Sequence, residues 1–217
     1  MRLGCVGCLL LVVAVLAVLA LAVGALFLSV NVFEAPDSQP VPFSRGDGFA
    51  AQQKLYEVVL RQAGRSSRRD PIVLSEREAN AFLGRHLTEA AGLMLSPLTV
   101  RFTKGQVFVQ GQTPLRNLLH GPPFAQLLPY LPQSRLEQPV WVTARGRIDL
   151  EHGSAAGGPR YGTVTLSELT LGKQPVASFM VYVMMGPAAS RLLRWQVPAV
   201  VTAIEVEDRQ LVIRTGQ

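Results

Sequence analysis

The sequence contains very little cysteine: Cys5 and Cys8 are the only two among 217 residues. Both lie before or at the start of a long apolar run, so the chain beyond it has no thiol for a disulfide or for nucleophilic catalysis. A zinc site would need a second pair of ligands, and no second CxxC pair follows. We interpret the two cysteines as reduced thiols, with palmitoylation as the alternative in a eukaryotic host.

Sequence motifs of catalysis are also missing, since no G-x-S-x-G, G-x-x-x-x-G-K-[ST] or H-E-x-x-H occurs. The three histidines, His86, His120 and His152, are far apart and have no acidic residue at ligand spacing. Paired carboxylates for acid–base chemistry would have to come from six residues, most of which we expect to be solvated charges at caps, turns and polar strand faces: Glu76, Glu78, Asp149, Glu151, Glu168 and Glu205. We therefore expect no enzyme activity, no catalytic residue, no cofactor and no metal.

Acidic residues are fewer than basic ones, 15 against 21, which gives a net charge of +6. The basic residues are scattered and no nucleic-acid-binding motif accompanies them, so we expect no nucleic acid partner. A positive surface suits anionic lipid head groups, and an ordinary solvated surface explains the same composition.

The longest apolar stretch runs from Cys8 to Val30 and contains no charged residue. About twenty apolar residues at about 1.5 Å each match the roughly 30 Å core of a bilayer. The run exceeds the apolar core of about 7–15 residues that is typical of a cleaved signal peptide, which is the competing interpretation. Arg2 precedes the run and Glu34 follows it. The positive-inside rule then predicts a single-pass membrane protein with a cytoplasmic N-terminus and a periplasmic or extracellular main domain.

Composition divides the chain into a membrane anchor at 1–33, a tether at 34–48 and an extracytoplasmic α+β domain at 49–217. The tether is rich in Pro, Gly and Ser and shows no periodicity. We expect it to act as a flexible leash that keeps the domain within a few nanometres of the membrane.

Hydrophobic periodicity predicts the elements of the domain. Residues 49–63 are expected to form an amphipathic helix with Asp47 as its N-cap, and Ser75 with Glu78 forms a capping box for a second helix. From Leu98 the period changes to two, which predicts hairpins over 98–110, 139–171 and 200–214. The fold class is therefore α+β, with a curved antiparallel sheet of hairpins packed around amphipathic helices.

Two apolar segments have a less regular pattern. Residues 115–132 are interrupted by prolines and predict one or two short helices, which either pack under the sheet or lie on a membrane surface. Residues 175–195 predict two linked helices rather than a strand, because Gly186-Pro187 divides a long apolar stretch.

Three motifs carry a resemblance to known proteins: L-S-E-R-E-A-N-A-F-L from Leu74, L-x-L-G-x-x-P-V from Leu169, and V-P-x-x-V with V-E-D-x-x-L-V-I between Val197 and Ile213. With the N-terminal anchor, residues 70–217 resemble bacterial membrane-anchored envelope proteins with a tubular lipid-binding (TULIP-like) domain. The resemblance implies a long sheet that wraps around a helix and leaves an apolar groove. The last turn departs from that pattern, since Arg209-Gln210 replaces the usual glycine.

We therefore expect a membrane-anchored protein that binds lipid or another apolar ligand in a groove between the sheet and the helices. The candidate lining residues, each of which would otherwise be ordinary core, are Phe82, Leu87, Phe102, Val109, Phe179, Met180 and Met184. The alternative is a non-enzymatic protein-interaction module of an envelope complex, which an exposed apolar patch within residues 115–131 would favour.

Overall fold

The computed structural model describes residues 30–36, 40–91, 95–119, 124–151, 160–185, 189–190 and 193–216, together with Ala14 and Val18. The predicted membrane-spanning run therefore lies outside the described residues, except at Ala14, Val18 and Val30. Within the described ranges, no helix is both long enough and apolar enough to cross a membrane.

Helix α1 spans Arg45–Gln62 and begins four residues before the predicted start at Phe49. Its N-cap is Ser44, whose hydroxyl accepts a hydrogen bond from the Asp47 backbone N–H at 3.3 Å. The Asp47 carboxylate accepts one in return from the Ser44 N–H at 2.7 Å. The prediction of Asp47 as the cap was wrong, because this capping box makes Asp47 the third helical residue. The predicted tether therefore ends in a helical turn.

Helix α2 spans Glu76–Ala91 and follows strand β1, Ile72–Ser75, without a loop. Its predicted capping box is confirmed: the Ser75 N–H donates to the Glu78 carboxylate at 2.8 Å, and the Glu78 N–H donates to the Ser75 hydroxyl at 3.3 Å. The two long helices pack against each other and against β1.

The first two predicted hairpins are confirmed. They lie in one antiparallel sheet with the order β2-β3-β4-β5-β6, and β7 pairs with the start of β5. Its strands are β2 (Leu98–Thr103), β3 (Gln106–Pro114), β4 (Pro139–Glu151), β5 (Arg160–Leu171), β6 (Gln174–Pro175) and β7 (Arg194–Val197). A smaller sheet has the order β1-β9-β8, in which β8 (Val201–Glu207) and β9 (Gln210–Thr215) form the predicted C-terminal hairpin. The α+β class with mainly antiparallel strands is thus established.

The segments between the strands match the predictions in part. Short helices do connect β3 to β4: a 3₁₀ turn at Leu115–Leu118, α3 at Phe124–Leu127, a 3₁₀ turn at Leu128–Tyr130 and α4 at Gln133–Leu136. Helix α5 at Met180–Met185 is the first of the two helices predicted between 175 and 195.

The second predicted helix in that region was wrong at its end, because residues 194–197 form strand β7. Arg194 and Gln196 are exposed while Val197 is buried, which is the alternation of a strand. The strand pairs with Arg160–Thr163 at the start of β5, and the Trp195 ring packs over Gly162. That pairing is remote in sequence and outweighs the local apolar pattern.

Buried side chains fill the space between the helices and the sheets. The helix cluster lies between α1 and the smaller sheet and comprises Ala51, Val58, Ile72, Leu74, Val197, Val201 and Ile213. The hairpin cluster joins α2 to β2 and β8 and comprises Ala79, Leu98, Val100, Phe102 and Val206. The N-terminal cluster comprises Val32, Leu115, Leu118, Leu119, Leu136, Val140 and Leu171.

Candidate functional site

A cleft of about 600 Å³ opens between the start of α1 and the second half of α2. Phe43 and Ser44, directly before α1, form one edge of the cleft. The lining residues, most of them apolar or basic, are Phe43, Ser44, Arg45, Gly48, Phe49, Gln52, Ala81, Phe82, Arg85 and His86. Its volume falls within the range of about 300–1,000 Å³ that is typical of small-molecule sites.

The floor of the cleft is formed by a ring contact within α2 and a polar contact between the two helices. The rings of Phe82 and His86 lie 4.7 Å apart and are tilted by 43°. The His86 Nε2 atom is 3.2 Å from the Gln52 side-chain nitrogen, which joins α2 to α1. Phe82 is half-buried and packs against the helix cluster, so the apolar floor is continuous with the core.

Two aromatic side chains at the mouth of the cleft are exposed although they are large and apolar. Phe43 is 49% exposed and Phe49 is 63% exposed. A second cleft of about 450 Å³ shares Phe43, Ala81 and Arg85 with the first and continues toward Leu95 and Leu98. The two clefts together form an apolar trough along α2, of the kind that marks a binding surface.

The rim of the cleft is basic. Arg45 and Arg85 are both exposed, and neither is ion-paired with any carboxylate among the described side chains. The Asp47 carboxylate has other partners than the two rim arginines: it accepts hydrogen bonds from Ser44 and lies 3.3 Å from the Arg77 guanidinium. The hydrogen bonds from Ser44 hold the pKa of Asp47 below its usual value, which favours the charged carboxylate that caps α1.

No protein-family model, curated protein or solved structure matches this chain. Its function is therefore inferred from the residues of the site themselves. The site fits a ligand with an apolar body and an anionic end. The apolar floor and the exposed aromatic rings would contact the body, and the anionic end would meet the two rim guanidinium groups, which have no carboxylate partner among the described side chains.

The residues that the sequence predicted for a groove lie in different places. Phe82 lines the cleft, whereas Phe102 and Val109 belong to or pack against the hairpin cluster. Met180 packs against the N-terminal cluster, and Phe179 is 62% exposed at the start of α5. The side chains of Leu87 and Met184 lie outside the described part of the structure. The five described residues thus face several environments rather than one groove.

Of the residues that line the cleft, sequence reasoning named Phe82 and missed the others, among them Phe43, Arg45 and Phe49. Phe43 and Arg45 fall in the segment that was assigned to a tether on its proline content. Phe49 was assigned to the buried face of α1, and its ring is instead exposed at the cleft mouth. The available signal was the spacing of Ser44 and Asp47, which fits a capping box and would have moved the helix start.

The carboxylates that were considered for acid–base chemistry have structural partners. Glu76 accepts a hydrogen bond from the Phe102 N–H at 2.7 Å, and Glu78 lies 2.7 Å from the Lys54 ammonium. The other four are in ion pairs on strand faces: Asp149 with Arg147, Glu151 with Arg194, Glu168 with Arg145 and Glu205 with Arg214. Among the described residues, no group of three or more His, Cys, Asp or Glu is arranged to hold a metal ion.

Proposed function

We propose that this chain is a membrane-anchored, non-enzymatic protein that binds an anionic amphiphile, such as a long-chain fatty acid or a lipid of that kind. The apolar part of the ligand lies on Phe43, Phe49 and Phe82, and its anionic end lies between Arg45 and Arg85. The observation that carries the proposal is this cleft, in which exposed aromatic rings adjoin two guanidinium groups without an ion-pair partner among the described residues.

The physical basis of binding is the burial of apolar surface, worth roughly 25 cal/mol per Å² removed from water. Exposed Phe rings gain this energy only when a ligand covers them. The guanidinium groups add charge-assisted hydrogen bonds and favour an anion over a neutral ligand.

The location at a membrane rests on the apolar run from Cys8 to Val30 and on the net charge of +6. The resemblance to anchored envelope proteins with a TULIP-like domain supports the same class of ligand. The binding site we propose differs from the groove that the resemblance implies, because side chains of the helix and hairpin clusters fill the space between helices and sheets.

The proposal is tested with the full chain in nanodiscs of zwitterionic lipid, titrated with a fluorescent long-chain fatty acid. Saturable binding is expected, and Phe49→Ser is expected to weaken it about tenfold. Tyr56→Ser is the matched control, because Tyr56 is 59% exposed on the same helix and does not line the cleft. Equal affinity in the two variants would overturn the assignment of the cleft.

The role of the basic rim is tested separately with the double variant Arg45→Gln and Arg85→Gln. We expect it to lose several-fold affinity for the fatty acid while binding the corresponding fatty alcohol as the natural chain does. A variant with Arg68→Gln and Arg69→Gln, in the loop after α1, is the control for total charge. Equal losses for acid and alcohol would exclude a charge-specific role of the rim.

A further inference from the structure

The chain directly after the apolar run is part of the folded domain. Val32 is 1% exposed and belongs to the N-terminal cluster, where it contacts side chains of the β3–β4 connection and of β5. The Lys173 N–H donates a hydrogen bond to the Asn31 carbonyl at 2.8 Å, and the Lys173 ammonium lies 2.9 Å from the Glu34 carboxylate. The Arg135 guanidinium stacks 5.3 Å from the Phe33 ring centroid.

The turn between β5 and β6 is shaped to receive this segment. Gly172 has φ of 58°, and a Cβ atom there would collide with the carbonyl oxygens of Asn31 and Val32. Only glycine combines this backbone conformation with so close an approach of another chain segment. The docked segment, residues 31–34, is therefore held by backbone, apolar and ionic contacts together.

The docked segment corrects the expectation of a leash that begins at residue 34. Only Asn31 separates Val32, fixed in the core, from Val30 at the end of the apolar run. Flexible chain of any length cannot therefore lie between the run and the domain. The end of the domain that carries the N-terminal cluster must lie where the apolar run ends.

Exposed aromatic side chains lie at this same end. Tyr130 is 84% exposed, Phe179 62% and Tyr182 54%. Leu131 follows Tyr130 in sequence, and Met180 follows Phe179 and lies two residues before Tyr182. Both Leu131 and Met180 pack against the N-terminal cluster that holds Val32. By contrast, Leu115, Leu118 and Leu119 are buried. The first five residues of the 115–131 segment therefore do not form the exposed apolar patch that was considered there.

We propose that Tyr130, Phe179 and Tyr182 form a membrane-contact face that inserts into the head-group region of the bilayer beside the apolar run. The inference rests on the membrane anchor in the proposed function and is independent of ligand binding in the cleft. Tyr and Phe suit this position because their rings are apolar and the Tyr hydroxyl remains hydrated. The bilayer is favoured over a protein partner because the face is continuous with the docked segment and hence with the end of the run.

The test places single cysteines in the full chain after Cys5→Ser and Cys8→Ser. Spin labels at F179C and Y182C are compared with Y56C, an equally exposed control on α1. In liposomes of mixed zwitterionic and anionic lipid, labels at 179 and 182 should be several-fold more accessible to oxygen than to a water-soluble nickel chelate. The label at 56 should show the opposite ratio.

Labels at 179 and 182 that behave like the label at 56 would overturn the inference. So would labels that neither reagent reaches, because that result indicates a protein partner. Resistance of the protein to alkaline carbonate extraction tests the anchor, and fatty acid titration of the same samples tests the cleft. A failure of the contact face alone is thereby distinguished from a failure of the proposed function.

The docked segment provides a second variant for the same measurement. V32D places a charge in the N-terminal cluster and should release the segment, so the label at 179 should shift toward the aqueous ratio. V59D, at a residue that is 55% exposed on α1, should leave the ratio unchanged. An unchanged ratio in V32D would show that the docked segment does not orient the domain.

Discussion

At the scale of single residues, polar side chains of α2 protect the outer edge of the larger sheet. Asn80 is fully buried; its amide nitrogen donates to the Val100 carbonyl at 2.7 Å, and its oxygen accepts from the Val100 N–H at 2.6 Å. Glu76 accepts from the next outward N–H, that of Phe102. These bonds satisfy groups that would otherwise leave an open strand edge. The E-R-E-A-N motif thus has a structural role, since its Glu76 and Asn80 side chains join α2 to strand β2.

Replacing Asn80 by Ala should lower the free energy of unfolding by about 3 kcal/mol, because two buried backbone groups of Val100 lose their partner. Urea denaturation in detergent micelles measures the change. Gln53→Ala, at an exposed position of α1, is the control and should change stability by less than about 0.5 kcal/mol. An Asn80 variant as stable as the control would contradict this role.

Glu78 gives the fold a defined dependence on pH. Burial alone would raise the pKa of Glu78, but hydrogen bonds from Lys54 and Ser75 outweigh it and lower the pKa below the usual 4.5. A lowered pKa stabilises the fold above the unfolded value, and this stabilisation is lost as pH falls through the folded value. The stability difference between the natural chain and Glu78→Gln should therefore be largest near pH 7 and shrink from about pH 4.5 downward. A difference that stays constant from pH 7 to pH 3 would exclude this linkage.

The sequence predicted the Ser75–Glu78 capping box, because both partners lie within one helical turn and their residue types define the motif. It did not predict the bond between Asn80 and Val100, since the partner lies on a strand 20 residues away. Short-range polar contacts can be predicted from spacing, whereas contacts between elements need the tertiary fold.

At the scale of elements, the segments whose pattern is local were predicted best. Hairpins 98–110 and 200–214 show a period of two, and the structure contains both. The docked segment and strand β7 were missed, because each is fixed by a partner distant in sequence. The docked segment packs into the N-terminal cluster, and β7 pairs with β5. Proline content at 34–48 indicated a tether, and composition carries no information on docking.

The docked segment should behave as part of the folded domain in hydrogen exchange. Peptides covering residues 30–36 and the Lys173 amide are expected to be protected in the natural chain, because Lys173 donates to Asn31. V32D should lose protection in both regions, and V59D in neither. Rapid exchange of residues 30–36 in the natural chain would contradict docking and would favour a flexible tether.

Two turns with positive φ offer a paired test of backbone strain. Gly105, with φ of 76°, has open space where a Cβ would stand, so Gly105→Ala should destabilise the β2–β3 turn by about 1 kcal/mol through conformation alone. Arg209, with φ of 63°, is the one described non-glycine residue of this kind. Arg209→Gly should therefore be neutral or stabilising by up to about 1 kcal/mol in thermal denaturation. A clear loss of stability in Arg209→Gly would show that its side chain is needed.

At the scale of the whole molecule, the packing of helices and sheets decides where a ligand can bind. The α+β class follows from periodicity, but the sequence did not show which apolar residues face each other. Core clusters occupy the space where a groove was expected, and the exposed rings of Phe43 and Phe49 at the cleft lie on α1 and on the segment before it. Among the five predicted residues whose side chains the structure describes, only Phe82 lines the resulting cleft.

The docked segment also limits the distance between the cleft and the N-terminal cluster. Ten residues lie between Val32 and Phe43, so the two Cα atoms are at most about 40 Å apart even when the chain is fully extended. Phe43, at the mouth of the cleft, therefore lies within about 40 Å of Val32 in the N-terminal cluster. A ligand taken from the membrane would have a short path to Phe43 and Phe49.

The central claim is that the cleft between α1 and α2 holds an anionic amphiphile, and photocrosslinking tests it most directly. The full chain in nanodiscs is incubated with a photoactivatable long-chain fatty acid, irradiated, and digested for mass spectrometry. Crosslinks should concentrate in residues 43–52 and 81–86 and should be displaced by unlabelled fatty acid. Crosslinks confined to the apolar run, or none that unlabelled fatty acid displaces, would contradict the claim.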